Sequence, residues 1–228
     1  MSDLSVALFN RNHTIKLSLP NIQSRVDALV WENIGGPKTA SINMTGDWHI
    51  DEALNFLGNP IEVFAPNGDC VWWGYVDSVK ATQGAIVYGV SIEDLVNKMT
   101  VTYPVGSTSA GTYPSYNLNS IARYGTKERY DTSSLSNEAA ATQYQNTVLA
   151  MLGWPVPTIQ HNPNNVTDFI QLSCKGWYDS LTWMYYPGVT QASWGPEVHH
   201  STLYMEYFGN DVGVTSRAIA QKITLVHT

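Results

Sequence analysis

The side chains best suited to metal binding or catalysis are few in this sequence. His199 and His200 form its only histidine cluster. Neighbouring residues on a strand point to opposite faces, so the two imidazoles cannot easily share a metal ion. No glycine-rich phosphate loop, nucleophile elbow or zinc-type spacing of cysteine and histidine is present. We therefore predict no metal, no cofactor and no catalytic residue.

A group of carboxylates offers the nearest approach to an active site. Asp47, Asp51 and Glu52 lie close to Trp48, a combination that glycosidases use. Acidic residues in such positions are also common helix caps and turn formers. We expect the second role, and a protein that is not an enzyme.

The aromatic residues carry more information than the carboxylates. The chain has 8 Trp and 13 Tyr against 5 Phe, and only 14% of its residues are charged, where about 25% is usual. Trp and Tyr are enriched at protein interfaces, and a charge-poor surface favours burial by partners. The candidate interface residues are Trp72, Trp73, Tyr75, Tyr113, Tyr116, Trp177, Trp183 and Trp194.

Charge and sequence signals restrict the partners and the compartment. The net charge is −7 and no run of Lys or Arg is present, which argues against nucleic-acid binding. No signal peptide is evident and no stretch reaches transmembrane length, so we expect synthesis in a cytosol and no membrane insertion. In that compartment Cys70 and Cys174 are expected to be reduced.

Periodicity predicts strands through the first third of the chain. Alternating residues indicate strands at 5–8, 14–19, 39–46 and 61–64, with a hairpin turn at 11–13. Short helices are predicted at 51–57 and, after a Ser91 cap, at 92–98. Residues 70–79 should pair with 85–90, and apolar residues in both phases predict that both faces of these strands are covered.

A second region follows a strand at 99–103 that Pro104 ends. Residues 105–116 lack periodicity and read as a long loop or linker between a domain at 1–104 and another at 117–228, although one continuous domain is also possible. We expect this loop to become ordered against a neighbouring subunit, with Tyr113 and Tyr116 as anchors.

Beyond the loop, one long helix should start at Ser136 and stop at 153–155, before strands at 167–174, 181–186, 201–208 and 222–227. The predicted fold is mainly β, sandwich-like or barrel-like, with one longer helix and one or two short ones as its minor α component.

Several stretches carry a family resemblance. Residues 35–42, 72–76 and 94–103 form one set, and residues 123–129, the alanine-rich helix and residues 172–181 form another. Together they resemble tail-tip proteins of tailed bacteriophages, in the baseplate hub and distal tail group. The resemblance implies a structural subunit of the virion tail, forming a homo-oligomeric ring, trimeric or hexameric, that joins the tail tube to the tip and contacts spike or fibre proteins.

Two other functions stay open beside that one. Exposed aromatic rings stack on sugars, so a carbohydrate- or receptor-binding module of a virion tail is the alternative, with Trp48, Trp177, Trp183 and Trp194 as candidates. A cell-wall-degrading enzyme is a third, without any motif in its support.

Overall fold

Two units make up the described chain. The structure is a computed structural model that describes residues 4–19, 21–32, 36–105, 108–134, 137–164 and 167–183. Unit 1 takes the described residues of Met1–Glu93 together with Val156–Ser180, and unit 2 takes those of Asp94–Pro155 and of Leu181–Val212. Unit 1 is therefore discontinuous in sequence, because the chain leaves it after Glu93 and returns at Val156.

Unit 1 is built on a curled, antiparallel sheet. In chain order its elements are β1 (Ser5–Leu8), β2 (Ile22–Glu32), β3 (Gly36–Gly46), α1 (Ile50–Leu54), β4 (Pro60–Phe64), β5 (Cys70–Gln83), β6 (Ile86–Ser91), β11 (Thr158–His161) and β12 (Phe169–Gly176). The described strands lie in the order β1-β4-β5-β12-β3-β2, while β6 pairs with β5 and β11 pairs with β6. The curl brings β1 near β2.

Strand β5 lies at the centre of this sheet and is covered on both faces. Four consecutive residues, from Gly74 to Asp77, are buried, and so is Trp72. A Cβ on Gly74 would overlap the carbonyl oxygen of Lys175 and come within 2.6 Å of the Trp72 ring. Only glycine therefore leaves room for the indole. This confirms the prediction of a two-sided central strand.

Unit 2 packs helices on a small sheet. Its elements are β7 (Lys98–Val105), β8 (Thr108–Gly111), β9 (Ser115–Tyr116), α2 (Leu118–Tyr124), β10 (Glu128–Thr132) and α3 (Glu138–Leu152). Strand β7 pairs in parallel with β10 and antiparallel with β8 and β9. The core consists of Val96, Met99, Val101, Tyr103 and Ala141, with Val148 and Leu149 of α3 packed against it.

The longest described helix, α3, has clear local signals at both ends. Asn137 caps it through an Oδ1 atom that accepts from the Ala140 amide at 2.9 Å. This cap lies one residue later than the predicted one, and Gly153 closes the helix as predicted. With α1 and α2 as shorter helices in the described residues, the mainly β fold with a minor helical component is confirmed.

The predicted helix at 92–98 is wrong, although its cap is present. Ser91 Oγ accepts from the Glu93 amide at 3.0 Å, as a helix cap would. The next amides then bond to distant carbonyls: Ile92 donates to Asp77, and Val96 donates to Leu152. These tertiary hydrogen bonds replace the helical ones, and β7 begins at Lys98.

The segment 105–116 is also more regular than predicted. Residues 108–111 and 115–116 are strands that pair with β7 of their own chain, and β7 itself continues through Pro104 to Val105. The described residues of the segment thus pair within unit 2, and the expected contact of Tyr113 and Tyr116 with a neighbouring subunit stays a prediction. The unit boundaries fall after Glu93 and Pro155, which differs from the predicted division at 105–116.

Four other predicted strands differ from the structure or lie partly or wholly outside the described residues. Residues 14–19 contribute only an isolated bridge between Phe9 and Lys16. Residues 177–182 form a 3₁₀ turn where a strand was predicted from 181. The strands predicted at 201–208 and 222–227 lie outside the described residues.

Candidate interaction surface

The predicted interface residues separate into buried and exposed groups. Trp72 and Tyr75 of β5, with Trp177 and Trp183, are buried by their own chain, and Trp73 is half-buried. Tyr113 and Tyr116 are exposed, Tyr113 by 87%. Trp194 lies outside the described residues. Among the described candidates, the two tyrosines are the exposed ones.

Tyr75 and Trp177 instead fasten the end of β12 within unit 1. Their ring centroids lie 5.3 Å apart. The Tyr75 hydroxyl donates to Asp179 Oδ2 at 2.5 Å, and the neighbouring Lys175 ammonium lies 3.4 Å from Asp77 Oδ1. The Tyr75–Asp179 hydrogen bond and the Lys175–Asp77 ion pair both form within unit 1, so we assign the cluster a structural role.

Trp183 has a comparable structural role in unit 2. The Lys127 ammonium lies 5.1 Å from the centroid of its indole, within the range of a cation–π contact. The Glu128 amide donates to the Trp183 carbonyl at 2.6 Å. The Glu128 carboxylate in turn lies 3.3 Å from the Lys98 ammonium.

A group of exposed apolar side chains on unit 2 was not predicted as a set. We call Tyr116, Leu118, Met151 and Trp154 the unit 2 apolar surface. Leu118 is 71% exposed and Trp154 48%, although both lie beside well-ordered backbone. Leu118 and Met151 carried no signal in the sequence. Trp154 did carry one, because it lies between Gly153 and Pro155 at the end of a helix.

The Asn117 side chain holds the framework of this surface. Its Oδ1 accepts from the Ser120 amide at 3.1 Å and caps α2, while its Nδ2 donates to the Gly153 carbonyl at 3.2 Å. One amide thus joins the start of α2 to the end of α3. The four apolar residues lie within two sequence positions of Asn117 or Gly153, the two residues that this hydrogen bond joins.

Tyr124 supports the Trp154 ring from one side. The two ring centroids are 6.1 Å apart and the planes meet at 80°. Burial raises the pKa of Tyr124, and the Arg123 guanidinium beside it partly opposes that shift. The phenol therefore stays neutral at physiological pH, and Trp154 is held against an uncharged neighbour.

Unit 1 exposes apolar residues at the end of β2. Val30 and Trp31 are both exposed, Trp31 by 47%, and Glu32 follows them. Three consecutive exposed residues mean that neither face of the strand is covered there. Trp31 was not among the predicted candidates.

The carboxylates near Trp48 are placed where helix caps are expected. Asp51 and Glu52 occupy the first turn of α1, and Glu52 Oε2 accepts from the His49 amide at 3.4 Å. Trp48 itself is buried. A carboxylate in this position satisfies a free helix amide, which accounts for Glu52 without catalysis. His199 and His200 lie outside the described residues.

The cysteines are free thiols in different surroundings. Cys70 is half-buried at the start of β5, and Cys174 is buried in β12. Burial raises the pKa of the Cys174 thiol, and the Asp77 carboxylate raises it further. Since the thiolate is the reactive form, Cys174 is chemically inert in the folded chain.

None of the helices in the described part of the chain combines the length and apolarity needed to cross a bilayer. Comparison with family models, curated proteins and solved structures finds no match to this chain.

Proposed function

We propose that this chain is a structural subunit of a bacteriophage tail tip, forming a ring or hub that joins the tail tube to the tip complex. The observation that carries the proposal is the unit 2 apolar surface, exposed on a chain with only 14% charged residues. A monomer normally keeps itself in solution with a charged surface and small apolar patches. Large apolar side chains on a rigid frame favour a permanent partner.

The choice of a ring follows from symmetry. Copies that associate head to tail either close into a ring or continue into a filament. We expect closure, as a trimer or hexamer, with tail-tube and spike or fibre proteins as further partners in the virion. The resemblance of residues 35–42, 72–76, 94–103, 123–129 and 172–181 to tail-tip proteins supports this setting.

Electron microscopy of the purified protein tests the proposal. Closed rings of three or six copies are expected, and Leu118→Glu should disperse them because it places a charge within the apolar surface. Gln143→Glu adds the same charge on an exposed position of α3 and should leave the rings intact. Rings that persist equally in both variants would show that this surface does not hold the assembly together.

We propose carbohydrate binding as a second candidate function, with Trp154 as its candidate position. Trp48, Trp177 and Trp183 are buried, whereas Trp154 is half-exposed and held by Tyr124. A rigid, exposed indole is a platform for a sugar ring. Titration with host surface glycans should change tryptophan fluorescence in the wild type and in Trp31→Ala, but not in Trp154→Ala. No response in any of the three would remove this candidate.

A further inference from the structure

Strand β2 has a long outer edge with which no described strand pairs, although the curl of the sheet brings β1 near β2. It runs for 11 residues and pairs with β3 on one side. In the described sheet it is the last strand of the order, so the peptide groups on its outer side have no strand partner among the described residues. Such an edge is a template for another strand unless lysine, proline or burial guards it. The sequence of β2 contains no Lys and no Pro.

The charges on β2 are self-complementary. Arg25 lies near one end and Glu32 at the other, and their side chains are 78% and 47% exposed. Arg25 Nε donates to Asp27 Oδ1 at 2.8 Å, and Lys38 of β3 pairs with Glu32. Strand β2 itself therefore carries one positive and two negative side chains, with Arg25 and Glu32 towards opposite ends. A second strand of the same sequence, running antiparallel, meets opposite charges and not like ones.

A bulge determines which residues can face each other. Asp27 is the extra residue in the pairing of β2 with β3, because Val26 is opposite Ile42 and Ala28 is opposite Ser41. A second register shift, between Val30 and Trp31, passes over Lys38 of β3 and adds no extra residue to β2, so the side chains of β2 alternate on each side of Asp27. Val26 and Leu29, opposite the buried Ile42 and Ala40, therefore face the interior side of the sheet.

We propose that the outer edge of β2 pairs antiparallel with β2 of a second copy of this chain, with the two-fold axis at Leu29. Ala28 then lies opposite Val30 of the second copy. Asp27 is passed over, as it is against β3, so Val26 meets Trp31 and Arg25 meets Glu32. An aromatic side chain opposite a β-branched one is a favourable cross-strand pair, and so are two opposite charges. The two-fold axis repeats each of them.

This inference rests on the proposed self-assembly and makes it more specific. A two-fold contact closes after two copies, so by itself it forms a dimer. Combined with a three-fold contact elsewhere it produces six copies as three pairs. It therefore favours the hexamer over the trimer in the isolated protein.

Charge reversal tests the pairing directly. Arg25→Glu and Glu32→Arg each place like charges opposite one another twice, and each should raise the dimer dissociation constant about tenfold. The double variant restores opposite charges between the two copies. It leaves like charges within each chain, at the pairs Arg25–Asp27 and Glu32–Lys38, so a recovery of wild-type affinity reports on the contact between copies. Lys16→Glu, an exposed position outside β2 with the same charge change, is the control.

Cross-linking provides a second readout that does not depend on charge. Leu29→Cys places two sulfurs across the axis, where facing Cα atoms about 4.5–5.5 Å apart suit a disulfide. Gln23→Cys on the same strand is off the axis and should not cross-link. Single variants that lose affinity without recovery in the double variant would overturn the pairing, as would the absence of a Leu29→Cys cross-link. Unchanged oligomers in all charge variants would overturn it and leave the ring proposal standing. A wild type that stays monomeric at every concentration would overturn both.

Discussion

At the scale of single residues, Trp72 and Trp73 are adjacent in sequence but differ in burial. Both lie in β5, but the Trp72 indole is fully buried over Gly74, whereas Trp73 is half-buried. Removing a fully buried indole leaves a cavity among residues that cannot collapse into it. The sequence predicted that this strand is central but could not show which of the two rings faces the interior, because apolar residues occupy both phases.

We expect Trp72→Ala to lower the free energy of unfolding by about 3–5 kcal/mol. Trp73→Ala, the same substitution one residue away, should lower it by clearly less. Urea unfolding followed by circular dichroism measures both. Equal losses in the two variants would place the rings in equivalent surroundings and contradict the assignment of Trp72 to the core.

Cys174 predicts a pH effect of known sign. Because burial raises the pKa of this thiol, the folded chain holds its proton more tightly than the unfolded chain. The stability that this tighter proton binding gives to the folded chain is fully present below the ordinary thiol pKa of about 8.5. As pH rises above that value, the free energy of unfolding falls. Urea unfolding between neutral pH and about pH 9.5 should show this fall, and Cys174→Ala should show less of it.

Thiol labelling provides an independent check of the same environment. An alkylating reagent should modify Cys70 in the folded protein and both cysteines in urea. Labelling of Cys174 at the same rate as Cys70 in the folded state would mean that the thiol is accessible, and the pH prediction would lose its basis.

At the scale of elements, local signals predicted much of the architecture. The pairing of β5 with β6 and the glycine that ends α3 were predicted from the sequence, and the start of α3 was predicted to within one residue. Strand β2 was not predicted, because Gln23, Ser24, Arg25 and Asp27 make it polar and the bulge at Asp27 breaks its alternation. The helix predicted at 92–98 failed for a different reason. Its amides bond to Asp77 and Leu152, which are distant in sequence and invisible to local reasoning.

The segment 105–116 depends on one glutamine of α3. Gln145 is fully buried, and its Nε2 donates to the carbonyls of Met99 and Tyr113, the latter at 2.9 Å. The side chain thus ties this segment to β7 and to the helix. A buried carbonyl that loses its donor costs about 1–3 kcal/mol.

Gln145→Leu should therefore destabilise unit 2 and speed the cleavage of residues 105–116 by proteinase K. Gln143→Leu, an exposed position on the same helix, is the matched control and should change neither property. Mass spectrometry of the fragments over time locates the cleavage sites and measures how fast residues 105–116 are cut. If both variants are cut like the wild type, the glutamine does not hold the segment.

At the scale of the whole molecule, composition predicted that the chain interacts with partners but did not predict which residues form the interface. The low charge and the abundance of Trp and Tyr predicted surfaces covered by partners, which stays a prediction, and the described residues include exposed aromatic side chains. Yet most of the tryptophans chosen as interface candidates are buried by their own chain, while Trp31 and Trp154 are exposed. Burial depends on which strand face turns inward, and a strand with apolar residues in both phases does not reveal that.

The claim that this chain works by assembling with copies of itself has one direct test. Light scattering over a dilution series, with the protein at micromolar concentration, measures the mass of the particle in solution. We predict a single species at three or six times the 25.2 kDa mass of one chain, with six favoured by the β2 contact. A clean monomer across the series would contradict self-assembly.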